Sequence, residues 1–334
     1  MEIQKNVSLA QFTTFKIGGP AKFFVEIKNE EELREAANFG EKNRLPVFIL
    51  GGGSNLLFPD AGWPGLVIRI CFKEVDYPAE PYEQGKKYTV KVGAGVLVVP
   101  LAFDLSKRGL RGMEWAGGLP GTIGGAVRGN AGAFRFETSR NVKSVLVFHQ
   151  GKIKKMLPEE CVFGYRTSLF KSFLSDAIIL SVELDLEAGN PEESKKELEG
   201  YLKHRQESQP PFPSAGCIFK NFTFSDPQEV GEHLKHLMME NFWQYKKVPA
   251  AWLIENSGLK GAHVGEAEVS PQHGNFIVNT GNAKAEDILQ LIKKVKETVW
   301  EKFGVRLEEE VQIVASGQDN NQKNSSEESK SLFK

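Results

Sequence analysis

The sequence predicts an α+β protein built from two or three domains, and three observations carry that reading. The chain has 334 residues, more than one ordinary hydrophobic core organises. Residues 20 to 70 read as strand, helix, strand, and a strand-rich block follows up to residue 186. A charged segment then runs into a proline-rich connector near residue 210, a natural boundary ahead of a second helical region.

In chain order, "AKFFVEI" is apolar and aromatic as a strand should be. "NEEELREAANFGEKNRL" has helical spacing, with an Asn N-cap and acids in its first turn, and "PVFIL" reads as a short buried strand. Residues 87 to 100, "KYTVKVGAGVLVVP", alternate and then run apolar. "VKSVLVFH", "GKIKKM" and "AIILSVELDL" are further strands separated by turns. "GNPEESKKELEGYLKHRQESQPPFPS" is a helix ending in the connector. After it come the helical patterns "PAAWLIENSGL" and "AEDILQLIKKVKETVWEKFGV", flanked by the strand-like "NFIVN" and "EEVQIV". From Ser316 onward apolar residues nearly vanish, so residues 316–334 are expected to be a disordered tail.

Composition narrows the function classes. Forty per cent apolar residues and 42 basic against 43 acidic, net charge -1, give no electrostatic reason to expect nucleic acid or an anionic membrane as partner. No obligate protein partner is evident. The N-terminus carries no signal-like apolar run, and no stretch is long enough to span a bilayer. Cys71, Cys161 and Cys217 are odd in number and far apart, which argues against disulfides and structural zinc and for a reducing cytoplasm. His233 and His236 stand at i, i+3 but lack a nearby carboxylate or cysteine, so no metal is expected.

Chemistry concentrates in glycine. "VFILGGGSNLLF" runs from a strand into three glycines, whose free N–H groups would suit an anion, although a tight structural turn explains the loop alone equally well. It is neither a Rossmann fingerprint nor a P-loop. "WAGGLPGTIGGAVRGNAGAF" adds seven glycines in twenty residues, with Leu119, Ile123 and Val127 interleaved. An ordered run so poor in side chains points to close backbone approach, and a planar cofactor with a diphosphate would use both segments. Cys217, in "PPFPSAGCIFKNF", remains open between packing, metal ligation, nucleophile and acid.

The ordered set "TTFKIGGPA", "GGGSNLLF", "GLPGTIGGAVRGNAGA", "YRTSLFK", "PSAGCIFKN", "WLIENSGLKG" and "RLEEEVQIV" resembles the UDP-N-acetylenolpyruvoylglucosamine reductases (UDP-N-acetylmuramate dehydrogenases), from about Asn6 to Val314. The resemblance implies a two-part FAD-binding region of the vanillyl-alcohol oxidase (PCMH) type, residues 1–75 and 76–190, and a C-terminal α/β substrate domain, 191–315. It implies non-covalent FAD, NADPH as co-substrate, and a UDP-sugar enolpyruvyl ether as substrate. Cofactor contacts would fall on Gly51, Gly52, Gly53, Ser54, Asn55 and Leu56, and on Leu119, Pro120, Gly121, Thr122, Gly124, Gly125, Ala126, Asn130, Ala131 and Gly132. Substrate contacts would fall on Tyr165, Lys220 and Asn221.

Arg166 matches the family's carboxylate-gripping arginine and Glu310 its glutamate. Strand alternation alone would put Glu308 on the same face, and the motif selects Glu310. The family's serine proton donor falls on Cys217, whose thiol near its ordinary pKa would be a stronger acid but partly thiolate. The chain departs from the family pattern in several places. "FRFET" follows "NAGA", Gln312 stands where an arginine is common, and the spacing fits the shorter subclass lacking a tyrosine flap. Residues 222–249 look like an insertion, with Trp243 or Tyr245 expected to cover the UDP site. The rival readings are another FAD oxidoreductase of this fold and a non-catalytic flavin or UDP-sugar sensor. Many of the former tether flavin through a histidine near the first glycine loop, where residues 40 to 65 have none.

Overall fold

The structure is a computed structural model that describes residues 1–315; the expected tail lies outside the described residues. The first sheet has the order β1 (Gln4–Ser8), β2 (Pro20–Ile27), β4 (Trp63–Ile70), β3 (Val47–Leu50). Because β2 and β3 both run parallel to β4, the chain needs a crossover, which α1 (Glu30–Lys42) supplies. Asn29 caps α1 by accepting the Glu32 N–H at 2.9 Å, and Leu33 and Ala36 form its buried face. The strand β3, expected to be buried, is an edge strand. Leu50 is buried but Val47 is 42% exposed, because β3 borders a cavity.

The second sheet is antiparallel and centred on β8 (Ile178–Ala188), between β5 (Lys87–Gly93) and β6 (Val142–His149), with β7 (Lys152–Met156) outside β6. Leu180, Val182, Leu184 and Leu186 alternate into the core, while the acids between them stay half-exposed or exposed. The apolar run after Gly93 is not a continued strand. It opens α2 (Val98–Lys107), with Val98, Leu101, Ala102 and Leu105 buried at helical spacing and Pro100 in the first turn, where its missing N–H costs nothing. The glycine-rich α3 (Ile123–Gly129) follows.

Helix α4 (Pro191–Ser208), capped by Asn190, packs on this second sheet's side of the molecule. Leu198 is fully buried in the same core as β5 and β8, and Ser194 Oγ donates to the buried Glu114 carboxylate at 2.7 Å. These contacts favour a unit boundary after Ser208 over one at residue 191. Beyond the connector, β9 (Ser214–Cys217) pairs with β10 (Phe276–Asn279), and the sheet continues through Ala267–Val269 and His263–Val264. The long α5 (Ala285–Phe303) buries Ile288, Leu291, Ile292, Val295 and Val299 in a second core. Phe15, Ile17 and Leu57 join that core, so the N-terminal unit is tied to the last one.

Leu198→Ala should cost about 2–5 kcal/mol, the range for emptying a fully buried leucine site, and lower the melting temperature accordingly. A thermal melt checks it, and a loss below about 1 kcal/mol would mean that α4 is not docked as described.

Candidate active site

A cavity of about 950 Å³ lies where the two glycine segments face β9 and the chain around Glu310. One wall is Gly51 to Leu56; another is Leu119 to Thr122 with Gly125, Ala126, Ala131 and Gly132. The two loops touch through bare backbone. A Cβ on Gly52 would stand 2.6 Å from Gly121 Cα, and one on Gly121 would stand 2.6 Å from Ser54 Oγ. Ser54 Oγ donates to the Pro120 carbonyl at 3.1 Å and fixes the contact. The backbone N–H groups of Gly51 to Asn55, Gly121 and Thr122 have no acceptor among the described residues. Such a concentration of free donors around a cavity is an anion cradle, and it fits the diphosphate of FAD.

At one end of the cavity stand Arg166, Glu310 and Cys217. Arg166 sits at the corner of a tight turn in which Gly164 and Thr167 exchange backbone hydrogen bonds of 3.1 and 3.2 Å, and its φ of 57° is a strained left-handed value for a non-glycine residue. Its Nε lies 2.8 Å from Glu310 Oε1 without good N–H alignment, so the contact is chiefly one of charge. Burial raises the Glu310 carboxyl above its ordinary pKa, opposed first by Arg166 and then by Lys171 and Lys220. The neighbouring acids diverge: Glu308 Oε2 lies 3.2 Å from Lys220 and is 74% exposed, while Glu309 Oε1 takes Lys296 at 2.7 Å.

Cys217 ends β9 just after Gly216, whose φ of 76° accompanies a register shift against β10 and re-aims the strand. Asn275 clamps the following segment, accepting from the Phe219 N–H at 3.0 Å and donating to the Phe219 carbonyl at 2.8 Å. The residue is half-buried and lines the cavity. Burial, then the negative charge of Glu310, pushes the thiol up to about 12, with Arg166 and Arg205 pulling the other way. These surroundings favour the neutral S–H over the partly ionised thiol that an ordinary pKa would give.

Several expected contacts lie elsewhere. Gly124 presses on Ala94, and its N–H donates to the Ala94 carbonyl at 2.9 Å. Asn130 is buried and donates to the Gly164 carbonyl at 3.0 Å, which steadies the Arg166 turn from behind. Tyr165, Lys220 and Asn221 stand outside the cavity wall: the Asn221 N–H donates to Tyr165 Oη at 3.4 Å, and Asn221 Oδ1 accepts the Ala250 N–H at 3.1 Å. Trp243 is not on this cavity's wall; it packs edge-on to Phe224 against the second core. Sequence reasoning missed three cations on the wall, Arg128, Lys171 and Arg205. Arg205 Nε is buried without a hydrogen-bond partner among the described residues, and Lys171 Nζ donates to the Arg166 carbonyl at 3.3 Å. Arg128 donates to Gln312 Oε1 at 2.9 Å, so the glutamine at 312 accepts where an arginine would repel.

Residues 21–156 match the model of an FAD binding domain, and residues 206–314 match that of the C-terminal domain of UDP-N-acetylenolpyruvoylglucosamine reductase. The chain is 38% identical to the UDP-N-acetylenolpyruvoylglucosamine reductase of Clostridium novyi over 96% of its own length and 94% of that protein's. It is 39% identical to that of Anoxybacillus flavithermus over 93% and 94%. The chain belongs to the UDP-N-acetylenolpyruvoylglucosamine reductase family. A crystal structure of the Thermus caldophilus reductase superposes with a TM-score of 0.71 at 33% identity, covering 94% of this chain and 98% of that one. Both glycine segments fall within the stretch that matches the FAD binding domain. Cys217 and Glu310 fall within the reductase C-terminal domain, and Arg166 lies on the chain between the two matches.

Because Glu310 is one cause of the raised Cys217 pKa, Glu310→Gln should lower it and speed alkylation of that thiol by iodoacetamide, roughly tenfold for each pKa unit removed. Peptide mapping after timed labelling reads the rate; an unchanged or slower rate would mean that Glu310 does not act on the sulfur.

Proposed function

We propose that the chain carries out the NADPH-dependent, FAD-mediated reduction of UDP-N-acetylglucosamine enolpyruvate to UDP-N-acetylmuramate, a step of peptidoglycan precursor synthesis. The observation that carries this reading is the meeting of Arg166, Glu310 and Cys217 at one end of a cavity walled by both glycine segments. Gly51 to Asn55, Gly121 and Thr122 would hold FAD, which would supply the two-electron hydride chemistry between NADPH and C3 of the enolpyruvyl group.

The protein's part is to manage charge and a proton. Arg166 grips the substrate carboxylate, onto which negative charge spreads as C3 gains its hydride. Glu310, with its raised pKa, donates a hydrogen bond to a carboxylate oxygen when protonated and balances the arginine when not. The Cys217 S–H gives its proton to C2, completing addition of hydride and proton across the double bond. The thiolate left behind faces Arg166 and Arg205, both of which favour its charged form. A neutral resting thiol is a sound arrangement for a donor, since the proton is present until the carbanion calls for it.

NADPH oxidation should depend on the enolpyruvyl UDP-sugar; its complete independence from that substrate would overturn the assignment. Cys217→Ser should keep most activity. Cys217→Ala should leave flavin reduction by NADPH intact and slow reoxidation by substrate by about a hundredfold or more, the usual weight of a general acid. Stopped-flow absorbance of the two half-reactions separates these, and equal slowing of both would make Cys217 a packing residue.

A further inference from the structure

Arg166 takes its aim from the backbone. Its Nε is buried without a well-aligned hydrogen bond, so the charge contact with Glu310 attracts the guanidinium without directing it. Direction has to come from the turn of residues 164–167, where Arg166 holds the third position at a φ of 57°, a place that suits glycine or asparagine. An arginine stays there only while the surrounding structure keeps the turn from relaxing.

The peptide group joining Arg166 to Thr167 is held at both poles. Its N–H donates to the Gly164 carbonyl at 3.2 Å, and its carbonyl accepts from Lys171 Nζ at 3.3 Å. Rotating that peptide toward an ordinary turn would break both bonds. Lys171 itself stands on a firm base. Phe170 is fully buried in the same core as β5 and β8, and the Lys171 N–H donates to the Ser168 carbonyl at 3.0 Å. Ser168 Oγ in turn donates to the carbonyl of Arg128, on α3, at 2.7 Å, so the pin ties the arginine's turn to the glycine-rich helix of the cavity wall.

The place is a costly one for an ammonium. Burial, then the charge of Lys220, lowers the Lys171 pKa; Glu310 opposes this, and Arg128 and Arg166 add to the lowering. A cation kept among like charges, with its Nζ on a main-chain carbonyl, is placed for what it holds.

We propose that Lys171 is a positioning residue for Arg166: its hydrogen bond to the Arg166 carbonyl keeps the left-handed turn that presents the guanidinium to the substrate carboxylate. This rests on the functional reading above, in which Arg166 grips that carboxylate. Because charge spreads onto the carboxylate as the hydride arrives, a poorly aimed arginine should cost more in kcat than in affinity.

The test is a double-mutant cycle on the FAD-loaded enzyme with Lys171→Met, Arg166→Met and the pair together, and Lys171→Arg alongside. Calorimetry reads binding of the enolpyruvyl UDP-sugar and of UDP-N-acetylglucosamine, which lacks the carboxylate, and steady-state assays read kcat. Lys171→Met should lower kcat roughly tenfold, weaken the enolpyruvyl sugar by about threefold to fivefold, and leave UDP-N-acetylglucosamine within about twofold. Lys171→Arg, which keeps a charged donor, should recover most of the loss. With Arg166→Met already in place, Lys171→Met should add little, because it acts through that side chain. Additive losses would overturn the proposal and make Lys171 a ligand contact in its own right. An equal loss for both sugars with a lowered melting temperature would overturn it too, marking Lys171 as structural, and so would a Lys171→Met enzyme that keeps the wild-type kcat. A wild type that binds the two sugars equally and turns over neither would sink the functional reading, and the proposal with it.

Discussion

The site depends on one contact, the backbone of Gly52 laid against the backbone of Gly121. A methyl group on either residue would collide with the opposite loop, so the first glycine segment can meet the second only while both lack side chains. That approach joins the end of β3, from the parallel sheet, to the start of α3, which packs against the antiparallel one. It also leaves seven N–H groups of cavity-lining residues without an acceptor among the described residues. Unpaired donors of this kind are costly when dried, and an anion in the cavity repays that cost.

The same loops hold Glu310 and the turn of Arg166 in place. Asn55, at the end of the first segment, donates to the Glu310 carbonyl at 3.0 Å, and its own carbonyl accepts the Gln312 N–H at 3.0 Å. Asn130, at the end of the second, holds the turn of Arg166, and Ser168 Oγ donates back to the Arg128 carbonyl at 2.7 Å. A shift in either glycine loop therefore moves an acid or a cation of the active site with it. This coupling follows from hydrogen bonds between polar side chains and backbone, which fix distance and direction where apolar packing would fix only proximity.

Helix α1 was legible because its cap, its first-turn acids and its apolar spacing all agree. The glycine segments were legible because so few side chains leave no other use for an ordered run. Helix α2 was not: "VLVVP" is β-branched and ends in proline, and only tertiary packing after the Gly93–Gly95 bend turns it into a helix. Glu310 could be chosen over its two neighbours by motif and not by alternation, since each of the three acids meets a different cation from a different element. Arg128, Lys171 and Arg205 carry no local signature, because a cation in an amphipathic or polar helix reads as a solvated one. For Arg205 a hint existed: it stands one turn before the proline connector that leads into Cys217.

Replacing an active-site hydroxyl with a thiol normally brings reactivity as well as acidity. Here the surroundings remove the reactivity. Burial and the nearby Glu310 charge push the thiol toward its neutral form, whereas Arg166 and Arg205 favour the charged one. Under the proposed reaction, Glu310 would help keep the thiol protonated before the substrate is ready, and Arg166 and Arg205 would favour the thiolate once the proton has gone.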